Sequence, residues 1–432
     1  MSDKPNILWI CTDQQRFDTL NCYGNSFVHT PNLDRLARNG VLFERAYTQN
    51  PVCTPSRASF LTGRYPRTTR CRQNGQPIPE NETLVSKLFS DNGYMCGLSG
   101  KLHISPCHQD VLDKGSTERR IDDGYDVFYW SHADKDKPHN QFQHWLREKG
   151  VTYETRPVKD TKCSKVFYGM PAEYQQTTWC VEKAMNFIDT CSLHDQPWFF
   201  SVNIFDPHSP FTPPEDYLQR YVDMLDEIPP PNFEEGELEN KPAWQRIEHE
   251  QAPNSRGSMK VPEFNETDEK YIKAAYWAMV DLIDAQVGRL LSFLEEKDLI
   301  DNTIILFTSD HGELLGDHGM YYKGPHFYEP AVHVPLIMSC PSLLNKNQRS
   351  EALVELVDLA PTLLEAAGLD IPEGVQGKSL LDVMTSEDTD KKHRDDVYCE
   401  YYNSLPWNKP GVHATMVATH RYKLICYHGV DS

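Results

Sequence analysis

Cys53 is followed by Thr54-Pro55-Ser56-Arg57, and the run closes with Phe60-Leu61-Thr62-Gly63-Arg64. Proline suits the first turn of a helix and not its interior, so Pro55 predicts a helix opening at Cys53. Gly63 fits the stop of that helix, with Phe60 and Leu61 as its apolar anchors. A thiol at a helix N-terminus, with Arg57 one turn on, has its pKa lowered, and the free backbone N–H groups there bind anions. A single cysteine in a chain of 12 is equally well explained as a buried structural residue, and the spacing alone leaves both readings open.

Further polar groups stand directly after short apolar runs. Asp13 and Gln14 follow Ile7-Leu8-Trp9-Ile10-Cys11, and Asp310 and His311 follow Thr303-Ile304-Ile305-Leu306-Phe307-Thr308. Two carboxylates, an amide oxygen and an imidazole make a mostly hard donor set suited to a divalent cation. Gly100-Lys101-Leu102-His103 and Phe205-Asp206-Pro207-His208 end two more such runs, and a histidine placed like His208 can protonate a leaving alkoxide. Lys323 lies within Gly319-Met320-Tyr321-Tyr322-Lys323-Gly324. Each of these has an ordinary alternative: an aspartate that caps a turn, a solvated Lys-x-His turn, a lysine that buries only its stem.

The apolar runs that carry these groups have the length and continuity of strands buried on both faces of a parallel sheet. Between them lie helical patterns at 31–37 (Pro31 first, Thr30 as its cap), 83–89, 177–190, 268–298 and 357–367, so strands alternate with helices and the class is α/β. Residues 397–427 read as a small terminal sheet. Residues 106–170 and 212–266, polar, aromatic or Pro-rich, read as loops over the site, the second a lid. This divides the chain into a catalytic domain over 1–375 and a small subdomain over 376–432.

A formal charge of −20 argues against nucleic acid or an anionic membrane surface as the partner. No apolar run is long enough to cross a bilayer. The start, Met-Ser-Asp-Lys-Pro-Asn, lacks the basic and apolar segments of an export leader, and the cysteines show no framework spacing, so a cytoplasmic protein with reduced thiols is expected; a periplasmic or secreted one follows if a leader has been removed. Oligomeric state, a homo-oligomer included, is not legible.

The cysteine run resembles the first motif of the sulfatase family in the alkaline-phosphatase-like superfamily, C-x-P-S-R followed by an apolar pair and T-G-R; the resemblance extends from the N-terminus to about Lys423. It implies an alkaline-phosphatase-like fold, a large central mostly parallel sheet flanked by helices with a small C-terminal antiparallel sheet, and a family tail missing here. It also implies that a formylglycine-generating enzyme oxidises Cys53 to formylglycine, whose hydrated aldehyde is the nucleophile. Asp13, Gln14, Asp310, His311 and the modified Cys53 are then ligands of a divalent metal, Ca²⁺ first and Mn²⁺ second, with Gln14 where many sulfatases carry aspartate.

Gly93, Tyr94, Gly100, Lys101 and His103 resemble the second sulfatase motif, with Cys96 in place of serine or threonine and Leu102 in place of an aromatic residue. By that resemblance Lys101 holds the formylglycine hydroxyl, and His103 is the base that releases sulfate. Arg57 stabilises charge, His208 lies near the bridging oxygen, and Lys323 binds the sulfate. The substrate implied is a sulfate ester of a small molecule or an oligosaccharide. A phosphonate monoester or phosphodiester hydrolase of the same superfamily is the alternative that Gln14 favours and that Lys101 and His103 oppose. An inactive sulfatase-like binding protein would need a broken site, and every catalytic position is filled. Tyr129, Trp130 and Trp145 either stack on a sugar or fill a satellite core, and Asp317, His318, His326 and His333 read as structural.

Overall fold

The structure is a computed structural model and describes residues 4–107, 118–133, 139–251, 261–388, 390–405 and 411–429. Nine strands form its main sheet: β1 (Asn6–Thr12), β2 (Val41–Tyr47), β3 (Met95–Gly100), β4 (Val127–Trp130), β5 (Trp198–Asn203), β6 (Thr303–Ser309), β7 (His333–Val334), β8 (Leu336–Ser339) and β9 (Gln348–Glu355). Their order is β9-β2-β8-β6-β1-β5-β3-β4, with β7 paired to β2. β1 lies parallel to both β5 and β6, β3 parallel to β5 and β4, and β9 parallel to β2. Only β8 and β7 run antiparallel to their neighbours. A second, three-stranded antiparallel sheet is made by β10 (Val397–Tyr402), β11 (His413–Ala418) and β12 (Lys423–Tyr427). The α/β class, the mostly parallel sheet and the small terminal sheet are as the sequence predicts.

Alternation along the central strands explains why they read as continuous apolar runs. Leu8 and Ile10 of β1 enter the core on one face, while Ile7, Trp9 and Cys11 enter the core on the other, so every position is buried. One face is covered by α1 (Pro31–Arg38), α4 (Gln176–Ser192) and α7 (Glu266–Glu296); the other receives α2 (Cys53–Thr62) and α8 (Leu359–Ala366). The 31-residue α7 is fixed at its start by a reciprocal capping box between Asn265 and Asp268.

Pro31 does open α1, but Thr30 does not cap it; the Thr30 hydroxyl instead accepts a bond from Asn21 N. The free N–H groups of Asn32 and Leu33 donate to the carboxylate of Asp284 on α7, at 3.0 and 2.8 Å. Close approach of the two helices allows this, because a Cβ at Gly288 would stand 2.5 Å from the Asn32 side chain.

The two stretches expected as loops hold regular structure. Within 106–170 lie β4, which extends the sheet beyond β3, and α3 (Gln141–Glu148). β4 is a four-residue edge strand that is only partly buried, and α3 makes two turns, with Phe142, Trp145 and Leu146 as its buried apolar positions. Elements that short carry no periodicity long enough to stand out from aromatic loop sequence. Within 212–266 lie α5 (Glu215–Val222) and α6 (Ala243–Gln251). Residues 108–117, 134–138 and 252–260 of these stretches lie outside the described residues.

Candidate active site

The C-terminal ends of parallel strands in an open sheet are where side chains can converge above buried backbone. β1 delivers Asp13 and Gln14, β3 delivers Lys101 and His103, β5 leads to His208, and β6 delivers Asp310 and His311. β3 reaches this point through Gly100, whose φ is +100° and where a Cβ would lie 1.8 Å from Asn203 O, so no other residue fits. α2 opens at Cys53 and stops at Gly63 with φ +65°. All ten residues of α2 are buried, which is why it shows no amphipathic stripe.

Cys53 stands at the centre and is 1% exposed. Lys323 Nζ donates to its Sγ at 3.0 Å and to Gln14 Oε1 at 2.5 Å. His311 Nε2 lies 3.1 Å from the same sulfur, and His311 Nδ1 donates to Gly312 O at 2.8 Å, which leaves Nε2 as the nitrogen that faces the centre. The thiol also points at Asp13 Oδ1, 3.6 Å away. Lys101 pairs with Asp13, and Arg57 Nε pairs with Asp310 Oδ2 at 2.8 Å, all four residues being buried. Arg57 Nη1 donates to Lys101 O at 2.8 Å, while Nη2 is buried with no hydrogen-bond partner among the described residues. Gln14 adopts a left-handed backbone (φ +67°), held by its N–H on Asp310 Oδ1 at 3.0 Å and by Tyr276 OH on its carbonyl at 2.6 Å. Strain of this kind concentrates at functional sites.

The charges decide each protonation state. Burial and Asp13 push the Cys53 thiol up, yet Lys101, Lys323 and His311 outweigh them and hold it below its ordinary value. Burial would raise Asp13 too, but Lys101, Lys323 and Arg57 keep it well below the usual carboxylate range. His103 is held neutral by burial and by Lys101, and His208 by burial and by Lys323. Burial lowers His311, and Asp310 more than compensates.

Asp13, Cys53, Asp310 and His311 each present one donor atom, all within 4.8 Å of one another. Two buried carboxylates that need positive charge, an imidazole nitrogen turned inward and a bordering amide oxygen fit a divalent cation. The unpartnered Arg57 Nη2 and the Lys101 and Lys323 ammoniums add a cationic wall suited to an anion.

Every site residue singled out in the sequence lies at this centre or beside it. His103 (φ +58°) is one step out; its N–H and that of Ile104 donate to Glu118 at 2.9 and 3.1 Å, and its Nδ1 is buried without a partner. His208 follows the cis Asp206–Pro207 bond, and its Nδ1 donates to Ser209 O at 2.7 Å. The sequence missed Glu118, Glu313 and His132. Glu118 also accepts from Trp130 Nε1 at 3.0 Å, and Glu313 holds the Gln14 amide. Glu118 and His132 lie in the stretch read as loop, and nothing in their spacing marks them. Trp145 and Trp130 are buried, so both serve packing, while Arg16 pairs with Asp317 and His318 with Glu237, ordering their loop as expected.

A family model described as Sulfatase matches residues 5–369, and one described as N-sulphoglucosamine sulphohydrolase, C-terminal, matches 316–431. An arylsulfatase of Clostridium perfringens is 32% identical over 413 residues, covering 92% of this chain and 82% of the relative. The chain belongs to the sulfatase family. This sulfatase is also similar to the iduronate 2-sulfatase of Homo sapiens, 30% identical over 401 residues, which cover 86% of this chain and 70% of that one. In fold it is similar to the phosphonate monoester hydrolase of Silicibacter pomeroyi, with a TM-score of 0.80 at 24% identity, covering 98% and 87% of the two chains. Sulfatases are sulfuric ester hydrolases that generally use a bound metal and a formylglycine, and the fit of the donor set is consistent with the first.

Proposed function

We propose that this sulfatase cleaves a sulfate ester on a sugar, with Cys53 as the residue converted to formylglycine and Ca²⁺ as its metal. The observation that carries the reading is the setting of Cys53: a buried helix N-terminus where one sulfur meets Lys323 Nζ at 3.0 Å and His311 Nε2 at 3.1 Å. When present, the metal supplies Lewis-acid polarisation and the formylglycine supplies the nucleophilic hydroxyl.

The chain's own residues do the rest. Arg57, Lys101 and Lys323 place three buried positive charges where the sulfate's oxygens gain charge. Lys323 reaches the reacting atom directly and can hand a proton to the leaving alcohol. Burial and Lys323 keep His208 neutral; the negative charge of a sulfate beside it would offset Lys323 and let its imidazole hold a proton for the same oxygen. His103, neutral and with a free Nδ1, is able to accept a proton in the release step. Calcium is favoured over manganese by the two carboxylates and the amide oxygen bordering them. A sulfated sugar is supported by the names of the human relative and of the C-terminal match, and the ester linkage by the human relative's name.

Turnover of an aryl sulfate, an aryl phosphonate monoester and an aryl phosphodiester, each with Ca²⁺ and with Mn²⁺, tests the reading once mass spectrometry has located formylglycine at position 53. Preference for sulfate with Ca²⁺ is expected. Preference for the phosphorus esters would overturn it and make Gln14, not Lys101 and His103, the residue that sets the reaction.

A further inference from the structure

A second group of donors lies one step outward from the reacting centre. His103, Cys107 and His132 each offer one ligand atom, and these atoms lie within 4.8 Å of one another. The two imidazoles meet edge to face with ring centroids 4.7 Å apart. Nδ1 of His103 and Nδ1 of His132 are both buried and have no hydrogen-bond partner among the described residues. A buried polar nitrogen in that state costs free energy that a ligand would recover. Cys107 is 8% exposed, with its thiol 3.2 Å from Ser105 O and 3.3 Å from Glu118 Oε2. His132 is only partly buried and opens the group to solvent.

The set differs in kind from the one around Cys53. Two imidazoles and a thiol are softer than two carboxylates and select zinc over calcium. Burial and Lys101 keep both histidines neutral, the form in which imidazole binds metal. Burial and the Glu118 carboxylate hold the Cys107 thiol protonated, so binding releases that proton to solvent as the sulfur–metal bond forms. Neighbouring donors of a tetrahedral zinc ion stand about 3.5 Å apart, so atoms already within 4.8 Å of one another need only a small inward adjustment to bind it. Glu118, beside the sulfur, is placed to complete or to steady the set.

We propose that His103, Cys107 and His132 form a second metal site, selective for Zn²⁺, whose occupation withdraws His103 from the reaction and silences the enzyme. The silencing, though not the binding, rests on the role assigned to His103 above.

Cobalt titration of the Cys53→Ala protein, in excess Ca²⁺ to fill the carboxylate site, reads binding independently of turnover. A thiolate-to-Co²⁺ charge-transfer band is expected, displaced by Zn²⁺, and absent in both Cys107→Ser and His132→Asn made on that background. Each of these two variants is also expected to lose zinc affinity by more than about a hundredfold, beyond the loss of an outer partner. A band that survives both substitutions, or no band at all, would overturn the site. In the formylglycine-bearing enzyme, one equivalent of Zn²⁺ in excess Ca²⁺ is expected to stop turnover, while Cys107→Ser keeps its basal rate and resists zinc. A band without inhibition would leave the site standing and remove the base role of His103.

Discussion

At the scale of single residues, Cys53 and Arg57 divide chemistry from stability. The Cys53 sulfur contacts the side chains of Lys323, His311 and Asp13 at the site and adds little packing volume, so Cys53→Ala is expected to keep the fold and lower turnover by about a thousandfold or more. Arg57 shares a fully buried pair with Asp310, and its removal strands a carboxylate; Arg57→Ala is expected to cost about 3–5 kcal/mol as well as activity. Urea midpoints and aryl sulfate turnover measured side by side separate the two, and an unfolded Cys53→Ala protein would contradict the division. Lys323 gives a sharper test of its own role. If its ammonium protonates the leaving alcohol, Lys323→Ala lowers kcat on an alkyl sulfate by about a hundredfold or more and much less on a nitrophenyl sulfate, which needs no proton. Equal losses on both esters would assign Lys323 to sulfate binding alone.

At the scale of elements, the central strands were legible because burial on both faces leaves an unbroken apolar run that polar site residues punctuate. Asp13, Lys101 and Asp310 could be placed for that reason, each being the first charged residue beyond such a run, and His208 stands two residues after Asp206, the first charged residue beyond its own. Helix α2 was legible from Pro55 and Gly63. What the sequence concealed depends on partners far along the chain. β4 and α3 are too short for periodicity, and Glu118, which bonds the His103 and Ile104 N–H groups, is an isolated acid with no spacing to mark it. The cap of α1 is likewise tertiary, supplied by Asp284 across 252 positions rather than by Thr30. That carboxylate carries a prediction. Burial pushes Asp284 up from 3.8 to about 6 despite the bonds it accepts from Asn32 and Leu33. Between those values the folded chain holds a proton that the unfolded chain has lost, so stability falls as pH rises from about 4 to about 6, by no more than about 3 kcal/mol. Asp284→Asn keeps an accepting oxygen without the charge. Thermal midpoints recorded across that range are expected to slope less in the variant than in the parent, and parallel curves would show that Asp284 does not set the slope.

At the scale of the whole molecule, the site ties together parts of the chain that lie far apart in sequence. Asp13 and Asp310 stand at the ends of β1 and β6, paired at the middle of the sheet, and Cys53 reaches them from the helical layer. A metal held there binds the folded chain and not the unfolded one, so chelation is expected to lower the thermal midpoint as well as activity; at a hundred times Kd the linkage is worth about 2.7 kcal/mol. A midpoint indifferent to chelator would mean that no metal is held between these strands. The burial of Cys53 has one more consequence, and it concerns timing. With the sulfur 1% exposed and every residue of α2 enclosed, the finished fold shuts the cysteine away from any modifying enzyme. β1 finds its partners only at Trp198–Asn203 and Thr303–Ser309, so residue 53 leaves the ribosome long before the sheet above it can close. If Cys53 is the residue oxidised, as proposed, its maturation is a race between oxidation of an open segment and completion of the chain, and a copy that folds first would be sealed in its unmodified form.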